Sequence, residues 1–526
     1  MTTASRRRFL QTALAGGAGL AVPRGVAVAQ APAIVTSDRM RPQTPSGLQI
    51  GDVVSDRAIV WSRSDRPARL IVERASTEAF RDAVEIRGPV AHEINDFVTT
   101  LDLTGLPADR PVFIRVTFED LATGRTRSAP LEGRFRTAPR MARPIRFVWS
   151  GDTAGQGYGI NPAWGGMKTY EAMRLVRPDF FIHSGDTIYA DNPILPEVAL
   201  PDGTMWRNLV TEETSKVAET LAEFRGRFKY NLLDDNVRRF SAEVPQLWQW
   251  DDHEVVNNWS SGKDLATDAR YVQKSIDVLV AHGLRSFLDY APMRRFGQED
   301  AERVYRRIPY GPQLDVLMLD ARSYRAANSH NRQERPSADT AYLGRQQLEW
   351  LKQALEQSSA LWKVVAHDMP IGLVVSDGQG PDGRDRFEAV ANGDGPPLGR
   401  ELELVELLRF IKQRHIRNVV WITADVHYTA AHYYDPARAQ FTEFEPFWEF
   451  VSGPLNAGSF GPNALDNTFG PRVVFQKYPP TPNAAPSAGY QFFGQVDIEP
   501  RSGEMVVTLK DGSGASLFSR TLTPAR

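Results

Sequence analysis

Six apolar runs in this 526-residue chain each end in a carboxylate, several with a histidine beside it. Residues 145–149 lead into Ser150-Gly151-Asp152, and 180–182 into His183-Ser184-Gly185-Asp186-Thr187-Ile188-Tyr189. Residues 247–250 lead into Asp251-Asp252-His253-Glu254, and 316–319 into Asp320-Ala321-Arg322. His367-Asp368 follows 364–366, and Ala424-Asp425-Val426-His427 follows 420–423. Taken singly, an Asp at a strand end is ordinarily a helix cap or a turn former. Six at corresponding positions mean more, because strand C-termini in an open α/β sheet converge on one crevice. Carboxylates gathered there repel one another unless cations neutralise them. Hard oxygen ligands with a few imidazoles suit Ca²⁺, Mn²⁺, iron or Zn²⁺ rather than copper. The pattern therefore predicts a multinuclear metal site, an arrangement suited to phosphoryl transfer.

The elements that must position these residues follow from periodicity. Runs at 145–149, 179–183, 314–319, 362–366 and 419–423 read as buried strands. Helical periodicity is clearest at 342–357 and 400–415, so strand–helix alternation predicts a mixed or parallel sheet covered by helices. Earlier, residues 47–137 alternate in short runs such as Ala58-Ile59-Val60-Trp61-Ser62 and Pro111-Val112-Phe113-Ile114-Arg115-Val116. That pattern predicts a small β-sandwich. The stretch Thr100-Leu101-Asp102-Leu103-Thr104-Gly105-Leu106-Pro107 is similar to fibronectin-type modules, and 137–144 reads as a linker. Residues 373–397, rich in Gly and Asp, read as a long loop and a candidate lid. Strand patterning returns at 492–498 and 504–509.

Composition narrows the classes. With 62 Lys+Arg against 64 Asp+Glu the formal charge is −2, which excludes a broadly cationic nucleic-acid binder; no stable nucleic-acid complex is expected. The absence of cysteine excludes disulfides, thiolate zinc sites, iron–sulfur clusters and cysteine nucleophiles. At the N-terminus, Ser5-Arg6-Arg7-Arg8-Phe9-Leu10 precedes a mildly apolar stretch at 14–22 and the small-residue run Ala27-Val28-Ala29-Gln30-Ala31. Residues 1–31 thus read as a twin-arginine signal peptide, with cleavage after Ala29 preferred because Pro32 would follow a cut at Ala31. The apolar stretch is short of the about 20 residues that span a bilayer. Export by the twin-arginine machinery to the periplasm or the medium is expected, with no transmembrane segment.

Asp152, His183-x-Gly185-Asp186-x-x-Tyr189, Asp251-Asp252-His253-Glu254-Val255-x-Asn257-Asn258, Leu319-Asp320-x-Arg322-x-Tyr324-Arg325 and Asp425-x-His427 occur in that order. Together they resemble the calcineurin-like metallophosphoesterases, and within them the PhoD-type alkaline phosphatases and related phosphodiesterases. The resemblance implies an α/β fold: an αββα catalytic domain at 143–526, preceded by an Ig/fibronectin-like all-β sandwich at 40–138. It implies hydrolysis of phosphate monoesters or diesters by in-line hydroxide attack, with His253 assisting departure of the alcohol. Alternatives are a phospholipase-D-type or other phosphodiesterase on the same centre and, against the presence of His253 and Tyr189, a calcium-stabilised binding module that is not an enzyme.

The same resemblance implies a ligand set. Asp186 would bridge two metals, Tyr189 would be a phenolate ligand to ferric iron, and Asp252, Asn258, Asp425 and His427 would surround calcium. Asn258 is preferred over Asn257, and Asp368 over His367 because Pro370 then falls at the usual offset. Arg322 is a phosphate clamp or a structural salt bridge. The best-known pattern of the family ends the first strand with a cysteine that ligates iron; here Asp152 stands there. Fe³⁺ with Ca²⁺ is the expected pair, with Mn²⁺ or Zn²⁺ as alternatives to iron.

Overall fold

The computed structural model describes residues 41–122, 124–297 and 300–525, so the expected signal peptide lies outside the described residues. Two sheets form its centre. The first runs, edge to edge, Ser516–Leu522, Met505–Asp511, Phe492–Ile498, Ile145–Ser150, Phe180–Ser184, Gln246–Gln249, Leu48–Gly51, Arg57–Arg63 and Val98–Thr104. The second runs Arg306–Pro309, Leu314–Met318, Trp362–Ala366, Val419–Thr423, Phe447–Val451, Thr429–Tyr434 and Pro471–Lys477. Ile145–Ser150, Phe180–Ser184 and Gln246–Gln249 are parallel in one sheet; Leu314–Met318, Trp362–Ala366 and Val419–Thr423 are parallel in the other.

Each of these strands is apolar on both faces because both are covered. Phe147, Trp149 and Ile182 pack between the sheets with Val316, Val364 and Ile422. Val148 and Phe181 face Met173, Phe228 and Phe240 on the helices Lys168–Leu175, Leu221–Asn231 and Asp235–Glu243. Leu317, Val365 and Trp421 face Leu348, Leu351 and Leu408 of Arg345–Gln357 and Glu401–Gln413. The layering is thus αββα, and buried strands of this kind read as continuous apolar runs rather than alternations. Gln249 Nε2 ties the sheets at their functional edge by donating to the Leu319 and Ala366 carbonyls, each at 2.8 Å.

The early β-region is a sandwich of Leu48–Gly51, Arg57–Arg63 and Val98–Thr104 against the sheet Val84–Ala91, Ala68–Ala75, Pro111–Asp120, Leu131–Arg136. One of its sheets continues into the catalytic sheet, since Gly51 pairs with Gln246 in parallel. A buried ion pair, Arg306 Nη2 to Asp52 Oδ1 at 2.9 Å, reinforces the junction. Two expectations are corrected in detail. The helix expected from 342 begins at Arg345, because Gly344 at φ 75° redirects the chain. Residues 373–397 are not a plain loop: Ser376–Gln379 and Asp385–Phe387 form a short hairpin. Its polar strands carry no apolar alternation to announce them.

Candidate metal centre

The expected ligands meet at the C-terminal ends of the parallel strands, where the backbone must turn sharply. Asp152 (φ 67°), Asp186 (φ 51°), Asn258 (φ 54°), Asp425 (φ 65°) and His427 (φ 58°) all adopt the left-handed conformation. That conformation is uncommon for residues with a Cβ, more tolerable for Asp, Asn and His, and concentrated at functional sites. Glu254 fixes two of these turns. Its carboxylate accepts from the backbone N–H of Thr187 (2.6 Å) and Asp251 (2.8 Å) and from the Thr187 hydroxyl (2.5 Å). Gly453 is required where it stands, because a Cβ there would strike the Asp152 carboxylate.

Three groups of side chains bring ligand atoms within 4.8 Å of one another: Asp152, Asp186 and His427; Asp186, Asp252 and His253; Asp251, Asp252 and Asp425. Asp186 is shared by the first two and Asp252 by the last two, so the groups form a chain. Tyr189 lies against the first, its hydroxyl 2.8 Å from His427 Nε2 and its ring 4.2 Å from that of His253. Asn258 approaches from the rim; its N–H donates to the Asp252 carboxylate and its Nδ2 to the Ser376 carbonyl at 3.1 Å. His253 is buried, with Nδ1 2.6 Å from Asp191 Oδ1.

The electrostatics are those of a site built around charge. Burial, with repulsion from neighbouring carboxylates, pushes Asp152, Asp186 and Asp425 well above the ordinary carboxylate range. Burial also raises Asp252, but His253 and Arg322 bring it down to about 2. For His253, burial alone would favour the neutral ring; Asp191, Asp252 and Asp186 override it and raise its pKa well above the usual value. Burial pushes the Tyr189 hydroxyl up, and Asp186 and Asp152 push it further.

A model of the PhoD-like phosphatases matches residues 147–509, and a model of the PhoD-like phosphatase N-terminal domain matches 28–139. The chain belongs to the PhoD-like phosphatase family. It is 26% identical over 457 residues to alkaline phosphatase D of Bacillus subtilis (strain 168), covering 81% of this chain and 71% of that relative. A solved structure of PhoD shares the fold with a TM-score of 0.66 at 20% identity, covering 91% of this chain and 89% of that one. A purple acid phosphatase from yellow lupin seeds aligns with a TM-score of 0.54 at 13% identity, over 90% of this chain and 74% of its own.

Whether metals fit this PhoD-like phosphatase is tested by oxygens the protein itself leaves unbonded. Both carboxylate oxygens of Asp152, Oδ2 of Asp251 and Oδ1 of Asp252 are buried without a hydrogen-bond partner. An uncompensated buried carboxylate costs several kcal/mol, on the order of what a cation removes. The donor set of carboxylates, imidazole and phenol fits hard or borderline cations.

Some sequence assignments change place. Arg322 makes the salt bridge rather than presenting a free fork: its side chain is fully buried, pairing with Asp251 Oδ1 at 2.5 Å, with Glu388, and with Asp368 Oδ2 at 3.4 Å. Asp368 therefore faces Arg322 and joins none of the three groups. His367 is turned away, bonded to the Tyr342 hydroxyl and the Met369 carbonyl. Asp320 keeps a turn-forming role, accepting from Trp250 Nε1, the Arg322 and Ser323 N–H groups and the Ser323 hydroxyl. Asp251, Asp191 and Glu388 complete the neighbourhood without having been singled out. The Asp251-Asp252 pair signalled two ligands as readily as one, whereas Glu388 lies far from any strand end and carried no signal.

Proposed function

We propose that this PhoD-like phosphatase hydrolyses phosphate monoesters or diesters at a centre held by Asp152, Asp186, Tyr189, Asp251, Asp252, Asn258, Asp425 and His427, with Asp186 bridging. The observation that carries the reading is the run of close side chains from Asp152 and His427 through Asp186 and Asp252 to Asp251 and Asp425, with buried oxygens left unbonded. Cations bound there would supply Lewis acidity and neutralise charge on the transferring phosphoryl group. Fe³⁺ beside Tyr189 with Ca²⁺ among the carboxylates is the favoured pair, with Mn²⁺ or Zn²⁺ as alternatives to iron.

His253 is the proton donor to the leaving alcohol. Asp191 accepts at Nδ1, which fixes the ring and leaves Nε2 as the proton-bearing atom for the reaction. The Tyr189 ring packed on the imidazole limits its rotation. Arg322 does not clamp phosphate in this reading; it balances Asp251 and Asp368 so that the cluster keeps its shape. The sandwich at 40–138 braces the catalytic unit at 143–526 through the shared sheet. Export by the twin-arginine route, through residues 1–31, belongs to the same proposal; among the described residues no helix is long and apolar enough to cross a membrane.

The test is elemental analysis of the purified chain with hydrolysis of p-nitrophenyl phosphate and its bis-ester, for the wild type and His253→Ala. Iron plus calcium in fixed ratio, chelation-sensitive turnover, and a loss of about 10²–10⁴-fold in His253→Ala with metal content intact are expected. Loss of metal in His253→Ala would make it a ligand instead. A metal-loaded chain that cleaves neither ester would overturn the proposal.

A further inference from the structure

The hairpin of Ser376–Gln379 and Asp385–Phe387 has the sequence of a lid, yet both its legs are fastened to the metal centre. On the first leg the Ser376 carbonyl accepts from Asn258 Nδ2 at 3.1 Å. The next side chain, Asp377, is only 8% exposed and receives Lys263 Nζ at 3.0 Å and Asn328 Nδ2 at 3.0 Å. Both partners also hold the ligand loop: Lys263 donates to the Asn257 carbonyl at 2.8 Å, and Asn328 to the Asn258 carbonyl at 2.9 Å. Asn258 is thereby gripped at its N–H by Asp252, at its carbonyl by Asn328 and at its amide nitrogen by the hairpin. With Nδ2 so engaged, Oδ1 is the end of the amide left for a cation. At the end of the second leg, Phe387 N–H donates to the Ser329 carbonyl at 2.9 Å, and just past it the Glu388 carboxylate pairs with Arg322, which holds Asp251.

We propose that this hairpin is a positioning element for the metal centre, with Asp377 as the positioning residue that aims Asn258 Oδ1 at its cation. The inference rests on the reading of Asn258 as a ligand. Groups that orient a ligand without touching the metal typically contribute about 10–100-fold in metal affinity, which is the scale expected for Asp377. A lid that swings free in each turnover would break the Ser376, Asp377 and Glu388 contacts together and with them two corners of the site. Any motion is left to the tip, Gly380 to Arg384, where among the described residues Asp382 pairs with its neighbour Arg384.

The experiment titrates metal-loaded protein with chelator, reading metal retained per chain for the wild type, Asn258→Ala, Asp377→Asn, Asp377→Glu, Lys263→Met and Asp382→Asn. Thermal unfolding of each chain, metal-stripped and metal-loaded, is recorded alongside. Asp377→Asn and Lys263→Met should surrender one metal at about 10–100-fold lower chelator, Asp377→Glu should recover much of the loss, and Asp382→Asn should match the wild type. Stripped chains should unfold alike. Wild-type retention in both Asp377→Asn and Lys263→Met, with Asn258→Ala impaired, overturns the inference alone. Full retention in Asn258→Ala overturns the ligand assignment and the inference with it. If Asp377→Asn fails to fold, Lys263→Met decides. Equal destabilisation of a variant's stripped and loaded forms would assign the contacts to folding and overturn the positioning role.

Discussion

Acidic residues are handled in opposite ways in two regions of this molecule. On the outer face of the sandwich, Arg115 stands opposite Glu73 on one neighbouring strand and Glu132 on the other, and Arg127 reaches Glu85 at 2.7 Å and Glu119 at 3.4 Å. These pairs are partly solvated, and such cross-strand ion pairs contribute about 0–1 kcal/mol each. At the ends of the central strands, carboxylates are buried and brought against one another, with oxygens that meet no protein donor. The first arrangement is what a sheet adopts to stay folded and soluble. The second is unfavourable for the empty chain and makes sense only for a chain that binds cations, so the two regions separate charge kept for stability from charge kept for function.

Asp186→Asn breaks the comparison at its sharpest point. The substitution keeps the shape and removes the charge shared by two ligand groups. Turnover should fall by about 10³-fold and at least one metal should be lost, because the phosphoryl group loses its electrostatic stabilisation. The metal-stripped variant should at the same time unfold at higher temperature than the stripped wild type, since a buried like charge has been removed. Calorimetry on stripped protein with metal analysis checks both halves. A stripped Asp186→Asn chain less stable than the wild type would mean that the carboxylate serves the fold, and the contrast with the sandwich would collapse.

Asp191→Asn sharpens the contrast within the site. Asp191 is as buried as the ligands, yet both of its oxygens have partners, His253 Nδ1 at 2.6 Å and Asn257 N–H at 3.0 Å. It is a hydrogen-bonded carboxylate among carboxylates proposed to bind metal. The variant should keep its metals and lose about 10²-fold in kcat, the lower end of what a positioned general acid contributes. Metal loss equal to that of Asp186→Asn would place Asp191 in the ligand set instead.

What the sequence made legible was what local pattern dictates. Continuous apolar runs ending in Asp placed the parallel strands and their functional ends, and Trp362–Ala366 and Val419–Thr423 fall where the runs do. Asp152, Asp186, Asp252, Asp425 and His427 could be brought together from sequence because each lies within a few residues of its strand's end, so placing the strand places the side chain. Arg322 was half legible: its position followed from a strand end, but its salt bridge depends on Glu388, which arrives from a polar hairpin of no apolar period. His367 and Asp368 could not be ranked by spacing alone, because a strand alternates faces and only the neighbouring Tyr342 shows which way the imidazole turns.

A third treatment of buried acid lies between the two regions and shows in stability rather than in turnover. Glu401 and Asp466 are both 1% exposed and share Asn392, whose Nδ2 donates to Glu401 (3.1 Å) and whose N–H donates to Asp466 (3.0 Å). Burial first, and then Asp466, raise Glu401 from 4.5 to about 9, so at neutral pH this pair is kept neutral on one side by a proton rather than by arginine or metal. The other charged groups nearby are engaged elsewhere: Asp394 accepts from Asn467 N–H, and Arg400 and Arg332 donate to main-chain carbonyls. A carboxyl with a raised folded pKa holds its proton in the folded chain after the unfolded chain has released it, so its contribution is whole below about 4.5 and declines as pH rises towards 9. The slope is on the order of 1.4 kcal/mol per pH unit. Glu401→Gln keeps the acceptor oxygen, donates permanently to Asp466 and has nothing to titrate. Its stability advantage over the wild type should therefore be near zero at pH 4, grow through pH 7 and level off above pH 9, as read by denaturant unfolding at each pH. A difference that does not change with pH would show that the folded chain holds no proton on Glu401 that the unfolded chain has lost, and this third treatment would fall away.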